Sequence, residues 1–178
     1  MSYDVILGRR SSAFPGDLTR PNSPFEITGK AALSSNPPTV FGNPVALDAT
    51  TGHIRPIIGT DTTAASVFGF LVRVFPTQST TYPNPDFTSQ GSPNPNEVLS
   101  VLRQGYIAVK VYASTGNAPV ANGAVYVQYV ADTISGVAVP VGGITTTSDS
   151  SKNFALTGAE FTGGVDANGY SEIRFRIV

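Results

Sequence analysis

His53 is the only imidazole in the chain, set inside Thr50-Thr-Gly-His-Ile-Arg55. Any triad chemistry would have to run through it, because a serine nucleophile needs a neighbouring base and a third group to orient that base. No Gly-x-Ser-x-Gly elbow accompanies it, and its surroundings read as a turn or strand start facing solvent or an interface. The 12 acidic residues could supply the carboxylate pair of a glycosidase, which needs two carboxyls at a defined separation beside an aromatic cleft. Most of them sit in turn contexts instead, as in Leu47-Asp48-Ala49, Gly59-Thr-Asp61, Ala131-Asp132-Thr133 and Val165-Asp166-Ala167. There aspartate closes local side-chain to backbone bonds. Asp166-Ala-Asn168-Gly169 resembles the start of a calcium loop but lacks the later ligands, so it reads as a hairpin turn. Gly142 to Ser151 is rich in Gly, Ser and Thr, yet no Gly-Lys-Ser/Thr follows. It reads as a flexible loop between strands.

The chain has no cysteine, which removes disulfides, thiol nucleophiles and sulfur-ligated zinc. No enzyme activity, metal or cofactor is expected. What remains is aromatic: 10 Phe and 7 Tyr, without Trp. Tyr106 and Tyr112 share the face opposite Ile107 and Val109, while Tyr126 shares a face with Gln128. They could form a platform for sugar stacking. The better-supported alternative is cross-strand pairs or subunit contacts, where tyrosine joins apolar area to a hydroxyl.

The elements that must position these residues are strands. Short blocks of Val, Ile, Phe, Tyr and Thr alternate with Gly, Pro, Asn, Asp and Ser at intervals of roughly 8–12 residues, the pattern of a sandwich or barrel. The clearest is Gly105 to Tyr112, with Ile107, Val109 and Val111 on one face. Ala124 to Val130 follows, with Val125, Val127 and Tyr129 alternating against Tyr126, Gln128 and Val130, and the two blocks read as a hairpin with a long connection. Tyr170 to Val178 places Ile173, Phe175 and Ile177 inward and Glu172, Arg174 and Arg176 outward. Ser66 to Phe75 is the most apolar strand, with Phe68, Phe70, Val72 and Val74 on one face. Weaker strands are expected at Pro44–Leu47, Ile54–Ile58, Val98–Leu102, Val137–Val141, Phe154–Leu156 and around Phe161.

Two segments break this spacing. Residues 1–40 read as an extended, proline-rich arm, with Phe14, Phe25 and Ile27 spread singly among Ser, Thr, Asn and Pro. Such scattered hydrophobes cannot form a core of their own, so a surface outside the segment must take them. Residues 41–178 read as one β-sandwich or small-barrel domain, interrupted by a proline-rich loop at about 76–97. The expected class is therefore all-β, and 178 residues suffice to bury a core without staples.

Charge narrows the partners. A net charge of -1 with 13% charged residues supplies no basic field for nucleic acid and no polybasic stretch for a membrane. No stretch approaches the about 18 apolar residues of a membrane span. Arg9-Arg10 follows rather than precedes the apolar stretch, so no export signal is read and folding inside the cell is expected.

The blocks Gly42 to Asp48, Gly69 to Ser79, Val101 to Val111, Gly123 to Val127 and Phe161 to Ile173, in that order, resemble the structural cement, or capsid decoration, proteins of tailed bacteriophages. The resemblance covers residues 40–178. It implies a small β-rich protein, jelly-roll-like over residues 41–178 and made in the host bacterial cytoplasm, that binds the outside of an icosahedral head and clamps major capsid protein subunits. It carries over no catalytic residue. A homodimer or homotrimer is expected, since symmetric oligomers match symmetric positions on a shell. The candidate contacts with capsid or partner are Phe14, Phe25, Ile27, Tyr106, Tyr112 and Tyr126. The competing assignment is a carbohydrate- or receptor-binding β-module on a virion surface, using the tyrosine face.

Overall fold

The computed structural model describes residues 14–20, 23–73 and 98–176. Residues 1–13 of the expected arm, the proline-rich loop at about 76–97, Val74 and Phe75 of the apolar strand, and Ile177 lie outside the described residues. Within them the chain is all-β, with one 3-10 turn at Ala64–Ser66. The strands are β1 (Glu26–Ala31), β2 (Pro44–Leu47), β3 (Ile54–Pro56), β4 (Gly69–Leu71), β5 (Val98–Tyr112), β6 (Ala124–Gln128), β7 (Asp132–Ile134), β8 (Val137–Val139), β9 (Ile144–Thr145), β10 (Asn153–Phe161) and β11 (Tyr170–Arg176).

Five of these close on themselves. The order β11-β10-β6-β9-β5 is completed by pairing of β11 with β5, and only the β5–β9 contact is parallel. This is a small mixed barrel. Its interior is filled by the inward halves of the alternating patterns: Ile107, Val109 and Val111 of β5, Val125 and Val127 of β6, Ile173 and Phe175 of β11. A barrel of so few strands leaves room inside only for packed side chains.

The all-β class stands, but of the expected arrangements the small barrel forms, and it replaces the sandwich or jelly-roll layering. The reason is β9. Ile144-Thr145 lies in the segment read as a flexible loop, yet it inserts between β5 and β6 and pairs with both. Consequently β5 and β6, read as a hairpin, are separated by a third strand, and β6 pairs on its other side with β10.

β5 is a single 15-residue strand where the sequence suggested two. Gly105, at φ +139, lets it bend without ending, and a Cβ there would come within 3.0 Å of Phe25 Cβ. Before the bend β5 pairs with β1 and β4; after it, with β11 and then β9. The first half feeds both cores, with Leu102 in the barrel core and Leu99 and Val101 in a second core with Val45, Ile54, Phe41 and Leu71. A parallel bridge from Ala32 to Ile54 carries the chain after β1 onto β3, so β1, β5, β4, β2 and β3 curl around that second core.

The segment read as an arm pairs with β5 at two places. Leu18 bridges Ile107, and β1 continues antiparallel from Gln104 to Val98. Ala108, expected on the outward face, is buried because Gly16 and Asp17 exchange backbone hydrogen bonds with it at 2.8 and 3.0 Å. Gly42, at φ +77, seals this contact: a Cβ there would stand 2.7 Å from the Gly16 nitrogen and 3.0 Å from the Ala108 carbonyl oxygen. Gln128, also expected outward, is buried beside Asn153, where its backbone bonds to Gly142 and Gly143.

Candidate functional site

The six candidate contact residues fall into three places. Phe25, just before β1, and Ile27 on β1 are exposed at 50% and 37%, and Val98 of β5, across from Ala31, is exposed at 70%. They are apolar side chains that the core does not use. Tyr112 and Tyr126 come from strands that are not neighbours, yet both pair with Thr145 of β9 and so flank that fully buried residue. Burial, and next the adjacent Tyr170, raise the Tyr112 hydroxyl above the ordinary tyrosine range. Phe14 lies under the Arg73 guanidinium, 4.8 Å from the ring centroid. Tyr106 stands apart from the other tyrosines, its ring covered by Arg20 at 4.4 Å. The three tyrosines therefore do not make one flat platform.

Arg20 does more than cover Tyr106. Its guanidinium donates to both oxygens of Glu172 on β11, at 2.6 and 3.3 Å, and Thr162 Oγ1 donates to the same carboxylate at 2.6 Å. This two-pronged contact straps the N-terminal segment to the barrel wall. Burial pushes the Glu172 carboxyl up, but the hydrogen bonds from Arg20 and Thr162, with the charge of Arg20, outweigh it and hold the carboxyl below its usual range. A carboxyl lowered on folding stabilises the folded form above its unfolded value, and that contribution is lost as pH falls through the folded value. Protection of the Thr19 amide, which donates to the Tyr106 carbonyl, should therefore drop as pH is lowered below the ordinary glutamate range. Hydrogen-exchange protection factors would read this, with Glu172→Gln lacking the step; identical pH profiles for the two proteins would refute the strap.

Across the outer face of β5, β11 and β10, beside Pro24, lies a groove of about 470 Å³. Gln104 and Tyr106 of β5, Arg174 and Arg176 of β11, Glu160 of β10 and Pro24 line it. Register explains the arrangement. Tyr106, Arg174 and Glu160 stand in one cross-strand row, with Gln104 and Arg176 in the next outward row. Arg174 is paired with Glu160 at 2.9 Å, whereas Arg176 is exposed and has no charged partner among the described residues. The outward arginines were legible in the alternation of β11; the groove was not, because it depends on a neighbouring strand from the other end of the chain.

The residues weighed for catalysis are occupied structurally. His53 closes the β2–β3 turn, its carbonyl accepting from the Asp48 amide at 2.8 Å. Asp48 Oδ1 accepts from the Thr51 amide and hydroxyl, which lower its carboxyl. Asp61 is buried and takes both Arg55 nitrogens, at 2.6 and 3.0 Å. The Asp132 carboxyl is lowered by the ammonium of Lys152 at 2.7 Å. Asp166 accepts from the Asn168 and Tyr170 amides at 2.9 Å each, the hairpin turn expected from the sequence. Among the described residues no three His, Asp or Glu side chains gather as a metal site.

Comparison with known proteins agrees with a surface rather than a reaction centre. No curated protein matches the chain. Among solved structures, a chain from the capsid of Myoviridae phage XM1 superposes with a TM-score of 0.64 at 19% identity, covering 99% of this chain and 98% of that one. At that identity the likeness shows the fold. A family model for a non-enzymatic structural component of the phage capsid, the XM1 gp53 minor capsid protein, matches residues 4–175. With nearly its whole length matched, the chain belongs to the XM1 gp53 minor capsid protein family.

Proposed function

We propose that the protein is a structural cement, or decoration, protein that binds the outer surface of a bacteriophage icosahedral capsid and stabilises the expanded shell by bridging major capsid protein subunits. The observation that carries this is the family match along residues 4–175. The exposed apolar side chains of Phe25, just before β1, of Ile27 on β1 and of Val98 at the start of β5 support it, since the core leaves all three uncovered. Physically, such a protein adds contacts across joints in the shell, so internal pressure must break more interface before the joints part. Many copies make modest individual contacts sufficient.

In this reading residues 1–40 are the arm and residues 41–178 the body. The arm is laid along β5 and presents Phe25 and Ile27 outward to a neighbouring subunit. Tyr112 and Tyr126, flanking Thr145, offer a second contact on the barrel wall, while Phe14 and Tyr106 contribute through the cations stacked on them. Self-association as a dimer or trimer would let identical patches meet symmetric positions of the lattice.

Co-sedimentation of the purified protein with expanded heads lacking it tests the proposal. Saturable binding at repeated lattice positions, seen by imaging the pellet, is the expected result. Failure to bind correctly expanded heads would overturn it and leave the receptor- or carbohydrate-binding module to be tested on glycans.

A further inference from the structure

We infer that the groove on the β5–β11–β10 face seats an extended, carboxylate-bearing segment of the neighbouring capsid protein, an inference that rests on the capsid-binding reading above. The floor is the row Gly105, Phe175 and Ala159, where Phe175 turns into the core and glycine offers only backbone. Gly158 leaves the β10 side low, and Pro24 raises an apolar lip on the side of the N-terminal segment, next to exposed Phe25. A volume of about 470 Å³ falls within the about 300–1,000 Å³ typical of sites that enclose a bound group. The apolar lip suits aliphatic stems, and the far wall is polar.

Charge decides the chemistry of the occupant. Arg20 is matched by Glu172 and Arg174 by Glu160, so these pairs cancel. Among the described residues Arg176 has no charged partner, and it stands across the register from Gln104. One uncompensated cation with an amide beside it complements one carboxylate, which a guanidinium binds through two parallel hydrogen bonds. Nucleic acid is disfavoured: a phosphate backbone is held by about 6–10 cations, and here there is one. A pyranose ring is disfavoured too, because Arg20 lies over the Tyr106 ring on which the sugar would stack.

The test uses the full chain and expanded heads lacking it. Arg176→Gln should weaken binding about tenfold, the worth of one charge-assisted hydrogen-bonded contact. Thr62→Glu, at an exposed position outside the groove, makes the same unit change in net charge and should shift affinity by no more than about twofold. Arg176 is exposed, so both variants should melt with the wild type, which confirms that binding and not folding is read. Wild-type affinity in Arg176→Gln would overturn the inference while leaving the capsid-binding reading intact. Equal losses in both variants would also overturn it, by assigning the effect to overall charge. If the wild-type protein itself fails to bind heads, the capsid-binding reading falls and the inference with it.

Discussion

Replacing Phe70 by alanine should cost about 3–5 kcal/mol of stability and lower the melting temperature by roughly 6–20 °C. Phe70 is fully buried, and its ring meets Phe175 edge-on, with centroids 4.9 Å apart and planes at 75°. The position matters because β4 is the seam of the molecule. Of its three residues, Phe70 faces the barrel core and Leu71 the second core, while the backbone pairs with β5 on one side and β2 on the other. A cavity at Phe70 therefore loosens the join as well as one core. The pair with Phe175 adds a separable part: a double-mutant cycle with Phe175→Ala should return a coupling of about 0.5–1.5 kcal/mol. Val98→Ala, at a position 70% exposed, should stay within about 0.5 kcal/mol of wild type. Calorimetry on the three single variants checks the ranking, and a Phe70→Ala protein that melts with the wild type would show that β4 does not join the cores.

The longer strands of the barrel wall, β5, β6 and β11, were legible because each has one dry face. Ile173 and Phe175 alternate with Arg174 and Arg176, and that pattern alone sets both the length and the inward face of β11. What periodicity cannot convey is closure. β9 has two residues, too few to alternate, and its partner β5 ends more than thirty positions earlier in the chain. A sequence reader sees two long strands joined by turns and infers a hairpin. The fold places a third strand between them and turns a sandwich into a barrel. Gly105 misled in the opposite direction, because a glycine between apolar runs reads as a break, whereas here it bends a continuous strand. Ala108 shows the remaining kind of failure: its outer face is dry only because Gly16 and Gly42, distant in sequence, lie against it.

The same distinction holds for the surface. Phe25, just before β1, and Ile27 on β1, apolar residues without a periodic partner, are exposed. Tyr106 was legible as an outward aromatic but not as one already stacked, since Arg20 reaches it from another part of the chain. Arg176 carried no signal in sequence beyond its outward position. It acquires meaning only when register puts Arg174 opposite Glu160 and leaves Arg176 opposite a neutral Gln104. Uncompensated charge is a property of the assembled sheet.

Removing residues 1–38 should destroy the fold rather than trim an accessory, and this bears directly on how the arm is tested. The truncation deletes β1 and its six register pairs with β5, the bonds of Gly16 and Asp17 to Ala108, and the Leu33 amide's bond to the Ile54 carbonyl. It also takes Ala32 from the second core and opens the Leu99 and Val101 side of β5. Backbone hydrogen bonds contribute about 0.5–1.5 kcal/mol each, and the groups left behind must find new partners. The total is of the order of the about 5–15 kcal/mol that holds an ordinary domain together. The truncated protein is therefore expected to aggregate or to melt well below the intact chain, and its failure to bind heads would say nothing about contact. Phe25→Ser with Ile27→Thr separates the two effects, because both side chains are exposed and neither belongs to a core. That double variant should keep the wild-type melting curve and lose affinity for heads. A truncated protein that melts at the wild-type temperature would instead show that the edge of β5 does not need the arm, and that the bonds to Ala108 are dispensable.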